Sequence, residues 1–252
     1  MGQFIKAGRD GHILTITLDR PEVLNALHAP ACRELSDLLD DFGRDDSLWI
    51  AIITGAGRAF CAGHDVKDGF HDAMPETGWA GLSRRYDLFK PLIAAVNGPA
   101  AGGGWEIALA CDIVVAEEGA TFSLPEAKVG AAATGGGARR LPQRLSWHLA
   151  MELLLTGKRI DAAEAARLGL VNEVVGPGQA LEAARRYADA MLACAPLSLQ
   201  ATKRIALASL ESEAREVQHL AAELNEQLKR TDDNREGVDA FVAKRPPRWR
   251  GR

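Results

Sequence analysis

The sequence predicts an α/β fold. Three observations predict it. Strand-like and helix-like segments alternate over the first two-thirds of the 252 residues. Several strand-like segments are unbroken apolar runs, as in parallel strands covered on both faces. From about Trp147 onward the pattern turns helical.

His12 to Leu18 (HILTITL) alternates apolar and polar residues and predicts a half-buried strand, closed by Pro21. Cys32 to Phe42 carries Leu35, Leu38, Leu39 and Phe42 at helical spacing, and Gly43 is its expected stop. Trp49 to Ile53 and Leu92 to Val96 predict buried strands. Between them, Asp68 to Gly81 is polar and glycine-containing, an expected mobile loop. A small-residue helix is expected from Trp105 to Cys111, then short strands at Ile113 to Ala116 and Thr121 to Leu124. Asp161 followed by Glu164 has the form of a capping box. Leu170 to Val175 predicts one late strand. Leu181 to Cys194, Leu197 to Leu210, Ala214 to Lys229 and Gly237 to Val242 predict helices. The expected division is an α/β core over 1–195 and a helical region over 196–252.

Composition narrows the function classes. Apolar residues make up 47%, charged residues 25%, and the net charge is −4. No global field therefore draws the chain to nucleic acid or an anionic membrane. The basic end, Lys244 to Arg252, reads as a solvated tail behind an acidic chain. No apolar run approaches the roughly 18 residues of a membrane span, and Met1 to Asp10 lacks a signal-peptide core. Four cysteines without a C-x-x-C pair predict reduced thiols and a cytoplasmic protein. Six histidines form no ligand cluster, so no metal is expected. There is no G-x-S-x-G elbow and no dinucleotide fingerprint.

The chemistry concentrates in three glycine-rich turns after apolar strands: Phe60 to Asp65, Asn97 to Glu106, and Pro125 to Gly137. Gly102-Gly103-Gly104 stands where a helix begins, so its N–H groups lack helical partners and favour negative charge. A thioester oxygen gaining charge is a suitable guest, and Ala62-Gly63-His64 can supply a second donor. Glu106 and Glu126 each fit a plain helix-start carboxylate. As a pair facing one site, they fit proton transfer to and from a conjugated thioester. Cys61 has no base beside it in the sequence, and a packing role is expected.

These segments resemble the enoyl-CoA hydratase (crotonase) family. The resemblance rests on Phe60-Cys61-Ala62-Gly63-His64-Asp65, Ala94-Ala95-Val96-Asn97-Gly98, Gly102-Gly103-Gly104-Trp105-Glu106, Ala110-Cys111-Asp112 and Leu124-Pro125-Glu126. Arg20-Pro21 with Asn25-Ala26-Leu27, Leu155-Thr156-Gly157, Ala165 to Val171 and Asp232 to Arg245 extend it over nearly the whole chain. It implies a crotonase-like spiral of ββα repeats with a C-terminal helical trimerisation region. It implies an acyl-CoA substrate, no cofactor, and a homotrimer or a hexamer. It implies that Glu106 and Glu126 are catalytic and that the His64 and Gly103 N–H groups form an oxyanion hole. Ala62, Asp65, Val66, Lys67, Phe241 and Lys244 are implied as substrate or CoA contacts.

Both carboxylates together point to a hydratase or dehydratase, with an isomerase or a non-catalytic CoA- or RNA-binding protein as alternatives. Ala133-Thr134 departs from the Pro-Gly of many hydratases. The LPEAK segment also resembles carnitinyl-CoA dehydratase relatives, and Trp105 is a bulky neighbour to Glu106. These features bear on the acyl group.

Overall fold

The computed structural model describes residues 2–65, 74–210 and 223–252, excepting the side chains of 241 and 242. Its principal sheet has the order β1 (Ile5–Asp10), β2 (Ile13–Leu18), β3 (Ile50–Gly55), β4 (Leu92–Val96), β6 (Ile113–Glu117) and β9 (Glu173–Val175). Only β1 and β2 pair antiparallel; every later pair is parallel. β3 and β4 are buried along their whole length, which explains why they lack alternation.

Side chains of a strand alternate between faces. Ala51 and Ile53 therefore join one core, with Leu35, Leu39 and Phe42 of α1 (Ala29–Arg44). Ile50 and Ile52 join the other, with Ala180, Ala184 and Ala188 of α6 (Ala180–Leu192). The alanines recur every four residues, so one small-residue face of α6 lies on the sheet.

A second ladder runs beside the first. β5 (Ala100–Ala101) pairs parallel with β7 (Thr121–Ser123), which pairs antiparallel with β8 (Ile160–Asp161). Parallel bridges Leu27–His64 and Cys61–Ala100 continue it backward. Successive units thus place a long strand in one sheet, a short segment in the other, then a helix. This is the spiral of ββα turns, and the short ladder carries the glycine-rich turns.

The buried Asn25 explains the N-terminal motif. Its Nδ2 donates to the carbonyls of Ala56 and Ala59, both at 2.8 Å, and its Oδ1 accepts from Arg20 N at 2.9 Å. One amide pins the loop leading into Phe60–His64. Gly157, in the left-handed region at φ 57°, ends α4 (Trp147–Thr156) against Pro125. Lys128 Nζ donates to the Gly157 carbonyl at 3.0 Å, fixing the Glu126 turn. Asp161 caps α5 (Ala162–Arg167), accepting from Glu164 N at 2.7 Å, as the capping pattern predicts.

Some expectations are corrected. Gly43 does not stop α1, which runs on to Arg44, because the apolar stripe still packs at Phe42. The end of the expected loop is a packed 3-10 turn, Trp79–Gly81, with Ala80 fully buried; 66–73 lies outside the described residues. Of the expected helix from Ala214, 223–228 is helical and the part through 222 lies outside them. The basic tail is largely exposed, as expected, but it is not detached. It folds onto α8 (Asp232–Val242), where Asp233 accepts from Arg250 N and Gly251 N, and Glu236 pairs with Arg245. The charge count did not show that the acidic face of α8 stands opposite this tail. α7 (Pro196–Ala208) is tied to the core by Lys203 Nζ, 2.8 Å from Asp112 Oδ2.

Candidate active site

α2 (Gly103–Ala110) starts at Gly102, whose φ of 55° turns the chain from β5 into the helix. Trp105 N and Glu106 N donate back to Gly102 O. Gly103 N has no partner among the described residues. The neighbouring turn approaches closely. A Cβ added at Gly63, whose φ is 95°, would stand 3.0 Å from Gly103 N and 2.7 Å from Ala101 O.

Alternate residues of a parallel ladder point their amides to opposite sides. Leu27 N donates to Gly63 O and Asp65 N donates to Leu27 O, so the His64 N–H faces away from Leu27. The main chain at Gly63, one residue before His64, thus lies against Gly103 N. Trp79 closes one side: a Cβ on Gly103 would meet its ring at 2.3 Å. The Trp79 indole N–H is buried without an acceptor.

Glu106 is 5% exposed on the first turn of α2. Its Oε1 accepts from Gly137 N at 2.8 Å. Gly135 lies against its other oxygen, where a Cβ would be 2.2 Å from Oε2. Burial pushes the Glu106 carboxyl up to about 7; the Glu126 charge adds to the rise, while the Gly137 and Gly135 N–H groups and Arg140 oppose it.

Glu126 opens the 3-10 turn Glu126–Val129 after Pro125. Its Oε1 would be 2.9 Å from a Cβ on Gly102, and its buried Oε2 has no hydrogen-bond partner. Burial raises this carboxyl too, against its own N–H. The Glu126 charge raises Glu106, the deeper of the two groups. Gly102 thus lies between the Gly103 N–H and one carboxylate, and the two carboxylates share one electrostatic neighbourhood.

The other candidates divide. Ala62 N is used by Leu24 O. Asp65 is engaged with Arg20, its Oδ2 at 3.0 Å from Nη1. Val66 and Lys67 lie outside the described residues. Phe241 is in α8, and Lys244 follows it, exposed, at φ 51°. Cys61 is buried, donates to Asn25 O at 3.1 Å, and is pushed up to about 12 by burial, so its thiol packs and does not attack. Trp105 is buried in the core beside Phe122, not at the site. Trp79, Gly135, Gly137 and Arg140 are contacts that single-residue reasoning missed; the glycine cluster 135–137 was the one visible signal. Among the described residues there is no group of three or more metal-ligating side chains, and no helix is long and apolar enough to cross a membrane.

Comparison with known proteins agrees with this geometry. The family model described as enoyl-CoA hydratase/isomerase matches residues 8–252. Relatives named carnitinyl-CoA dehydratase, from Proteus mirabilis (strain HI4320) and Citrobacter koseri, are 40% and 41% identical over 262 aligned positions, covering 100% of both chains in each case. The crystal structure of enoyl-CoA hydratase from Mycobacterium tuberculosis H37Rv is 40% identical, with a TM-score of 0.95 and 100% coverage of both chains. That of enoyl-CoA hydratase from Bacillus anthracis is 31% identical, with a TM-score of 0.92, covering 99% of this chain and 100% of that one. Spiral, paired carboxylates and full-length similarity lead to one assignment: the chain belongs to the enoyl-CoA hydratase/isomerase family.

Proposed function

We propose that the protein is an enoyl-CoA hydratase, adding water reversibly to a 2-enoyl-CoA thioester to give a 3-hydroxyacyl-CoA. The observation that carries this reading is the pair of desolvated carboxylates, Glu106 and Glu126, beside the unused Gly103 N–H. In this mechanism the thioester oxygen accepts from the Gly103 and His64 N–H groups. Water adds at the β-carbon, charge moves onto that oxygen, and the fixed donors hold it. Glu106 takes the proton from water and Glu126 delivers one to the α-carbon. The pair needs one proton between them, and each hydration moves it from Glu126 to Glu106.

A second reading is favoured by one observation. Burial raises the Glu106 carboxyl to about 7, so Glu106 can hold a proton near neutral pH. Dehydration would start from protonated Glu106 and ionised Glu126: Glu126 removes the α-proton, and Glu106 gives its proton to the leaving hydroxyl. Together with relatives named carnitinyl-CoA dehydratase, this supports a physiological role as a dehydratase of a polar 3-hydroxyacyl-CoA. Both readings use the same residues.

The proposed working form is a cytoplasmic homotrimer or hexamer that needs no cofactor. None of the four cysteines is in a disulfide and three are buried, which fits reducing surroundings. Ala62, Asp65, Val66, Lys67, Phe241 and Lys244 are assigned to substrate or CoA by family resemblance.

The test is turnover of a panel of enoyl-CoA and 3-hydroxyacyl-CoA thioesters, crotonyl-CoA included. Glu106→Gln and Glu126→Gln should each lower kcat by roughly 10²–10⁴-fold with KM little changed. Chelation should leave turnover intact. Folded Gln variants that turn over the best substrate at near the parent rate would overturn the two-carboxylate mechanism.

A further inference from the structure

A buried cation, Arg140, stands behind the site and forms no ion pair with the described residues. Arg140, on α3 (Gly137–Arg144), is 7% exposed. Its Nη1 donates to Gly135 O at 3.2 Å and its Nη2 to Leu82 O at 3.3 Å. Among the described residues no carboxylate lies within ion-pair distance of it. A buried guanidinium bonded only to carbonyls is costly, so its retention asks for a reason.

The reason lies across one turn of chain. Residues 135–137 are all glycine, and each is pressed by a side chain. Gly135 and Gly137 face Glu106: a Cβ on Gly135 would lie 2.2 Å from Oε2, and one on Gly137 would lie 3.1 Å from Oε1. Gly136 faces Arg140: at φ 122° it has no Cβ, and one added there would lie 1.7 Å from Nη1. The turn is a single layer of backbone between an acid and a base. Its Gly137 N–H points to the acid and its Gly135 C=O to the base.

We propose that Arg140 is a positioning residue for Glu106, holding the carboxylate's N–H donors in place through the glycine turn and supplying a positive charge behind them. This rests on the acid–base reading of Glu106 above. The titratable groups around the pair are Glu126, which opposes ionisation of Glu106, Arg139 and Arg144, which bear on Arg140, and the Cys111 thiol, which burial pushes up to about 12 and so keeps neutral. Removing the Arg140 charge withdraws support from the ionised form of Glu106. The last proton of the glutamate pair is then lost at higher pH, and the alkaline limb of kcat/KM moves up.

The fold offers a direct test. Arg140 also lines a cavity of about 560 Å³ at the opposite end of α2, with Arg139, Arg144, Leu109 and Asp112. Guanidinium added to Arg140→Ala can enter there. Three variants are compared with the parent on the best acyl-CoA: Arg140→Gln, Arg140→Lys and Arg140→Ala with and without guanidinium chloride in the millimolar range, salt-matched. Arg140→Gln should raise the alkaline limb by roughly half to one pH unit, with kcat lowered about tenfold or more and KM little changed. Arg140→Lys keeps the charge and should move the limb less. Guanidinium should restore part of the Arg140→Ala turnover.

The ¹³C carboxyl titration of Glu106, assigned by its absence in Glu106→Gln, should rise in Arg140→Gln without any turnover being needed. If Arg140→Gln does not fold, Arg140→Lys and the guanidinium series decide. Folded variants with the parent limb and the parent Glu106 titration, and no rescue, would overturn the proposal. Parent-like turnover in Glu106→Gln would instead remove the mechanism beneath it, while the carboxyl titration still reports whether Arg140 acts on Glu106.

Discussion

At the scale of single residues, Glu106 shows how burial becomes chemistry. Its carboxyl is raised from 4.5 to about 7, first by desolvation. A group whose folded value lies above its unfolded value binds more protons in the folded state between the two. Stability therefore falls as pH rises from about 4.5 to about 7, and the penalty stays constant above. Glu106→Gln keeps an acceptor for Gly137 N and carries no charge. Relative to the parent it should gain stability on the order of 2 to 3 kcal/mol between pH 4.5 and pH 8. Denaturant midpoints at the two pH values check this. A gain that does not depend on pH would mean that the Glu106 carboxyl titrates alike in the folded and unfolded states. The sequence made this residue legible by type and place, a Glu inside an apolar helix start. It did not show Gly135 and Gly137 around it, because their approach depends on a turn some 30 residues away.

At the scale of elements, the close approach of α2 to the short ladder decides where the donors stand. A Cβ on Gly104 would lie 2.0 Å from the Cys61 carbonyl oxygen. That oxygen already accepts from Ala101 N at 3.0 Å, so it has little room to retreat. Gly104→Ala should push the helix start from the strand, destabilise the fold by roughly 1–3 kcal/mol, and lower kcat more than that loss explains. Melting curves and turnover on one preparation separate the two effects. Long apolar runs made β3 and β4 legible, and β4 agrees with its expected bounds. The two-residue strands β5 and β8 were not legible, since their pairing comes from partners distant in sequence. α3 was missed because its start is a glycine turn shaped by Glu106 and Arg140 rather than by a capping residue.

At the scale of the whole molecule, the order of motifs carried more than any one of them, because a spiral repeats its unit and fixes the spacing between turns. Assembly was less legible, since a helix face is read from sequence only against the core it covers. The described chain leaves apolar side chains in water on one side: Trp147 is 62% exposed, Leu155 70% and Val129 67%. Trp147 and Leu155 stand on α4, and Val129 on the turn that carries Glu126. If the proposed trimer covers this face, light scattering at micromolar concentration should give three or six subunits. Leu155→Glu should lower that number while leaving the far-ultraviolet circular dichroism unchanged. A parent protein that scatters only as a monomer would remove the assembly.

The folded-back tail has a practical consequence for anyone shortening this chain. Asp233 is 2% exposed, and both its oxygens take N–H groups from Arg250 and Gly251, while its own N–H donates to the carbonyl of Arg252. Three polar-looking residues at the end are therefore the lid of a buried anion. Trimming them removes no core side chain and no catalytic group, yet it strands a negative charge in a dry place. Hydrogen bonds to charged groups contribute about 1.5–3 kcal/mol each, so a chain ending at Trp249 should melt several degrees lower and be cut faster by protease near α8. Asp233→Asn in the trimmed chain should recover part of that loss, since what the cut exposes is a charge without company.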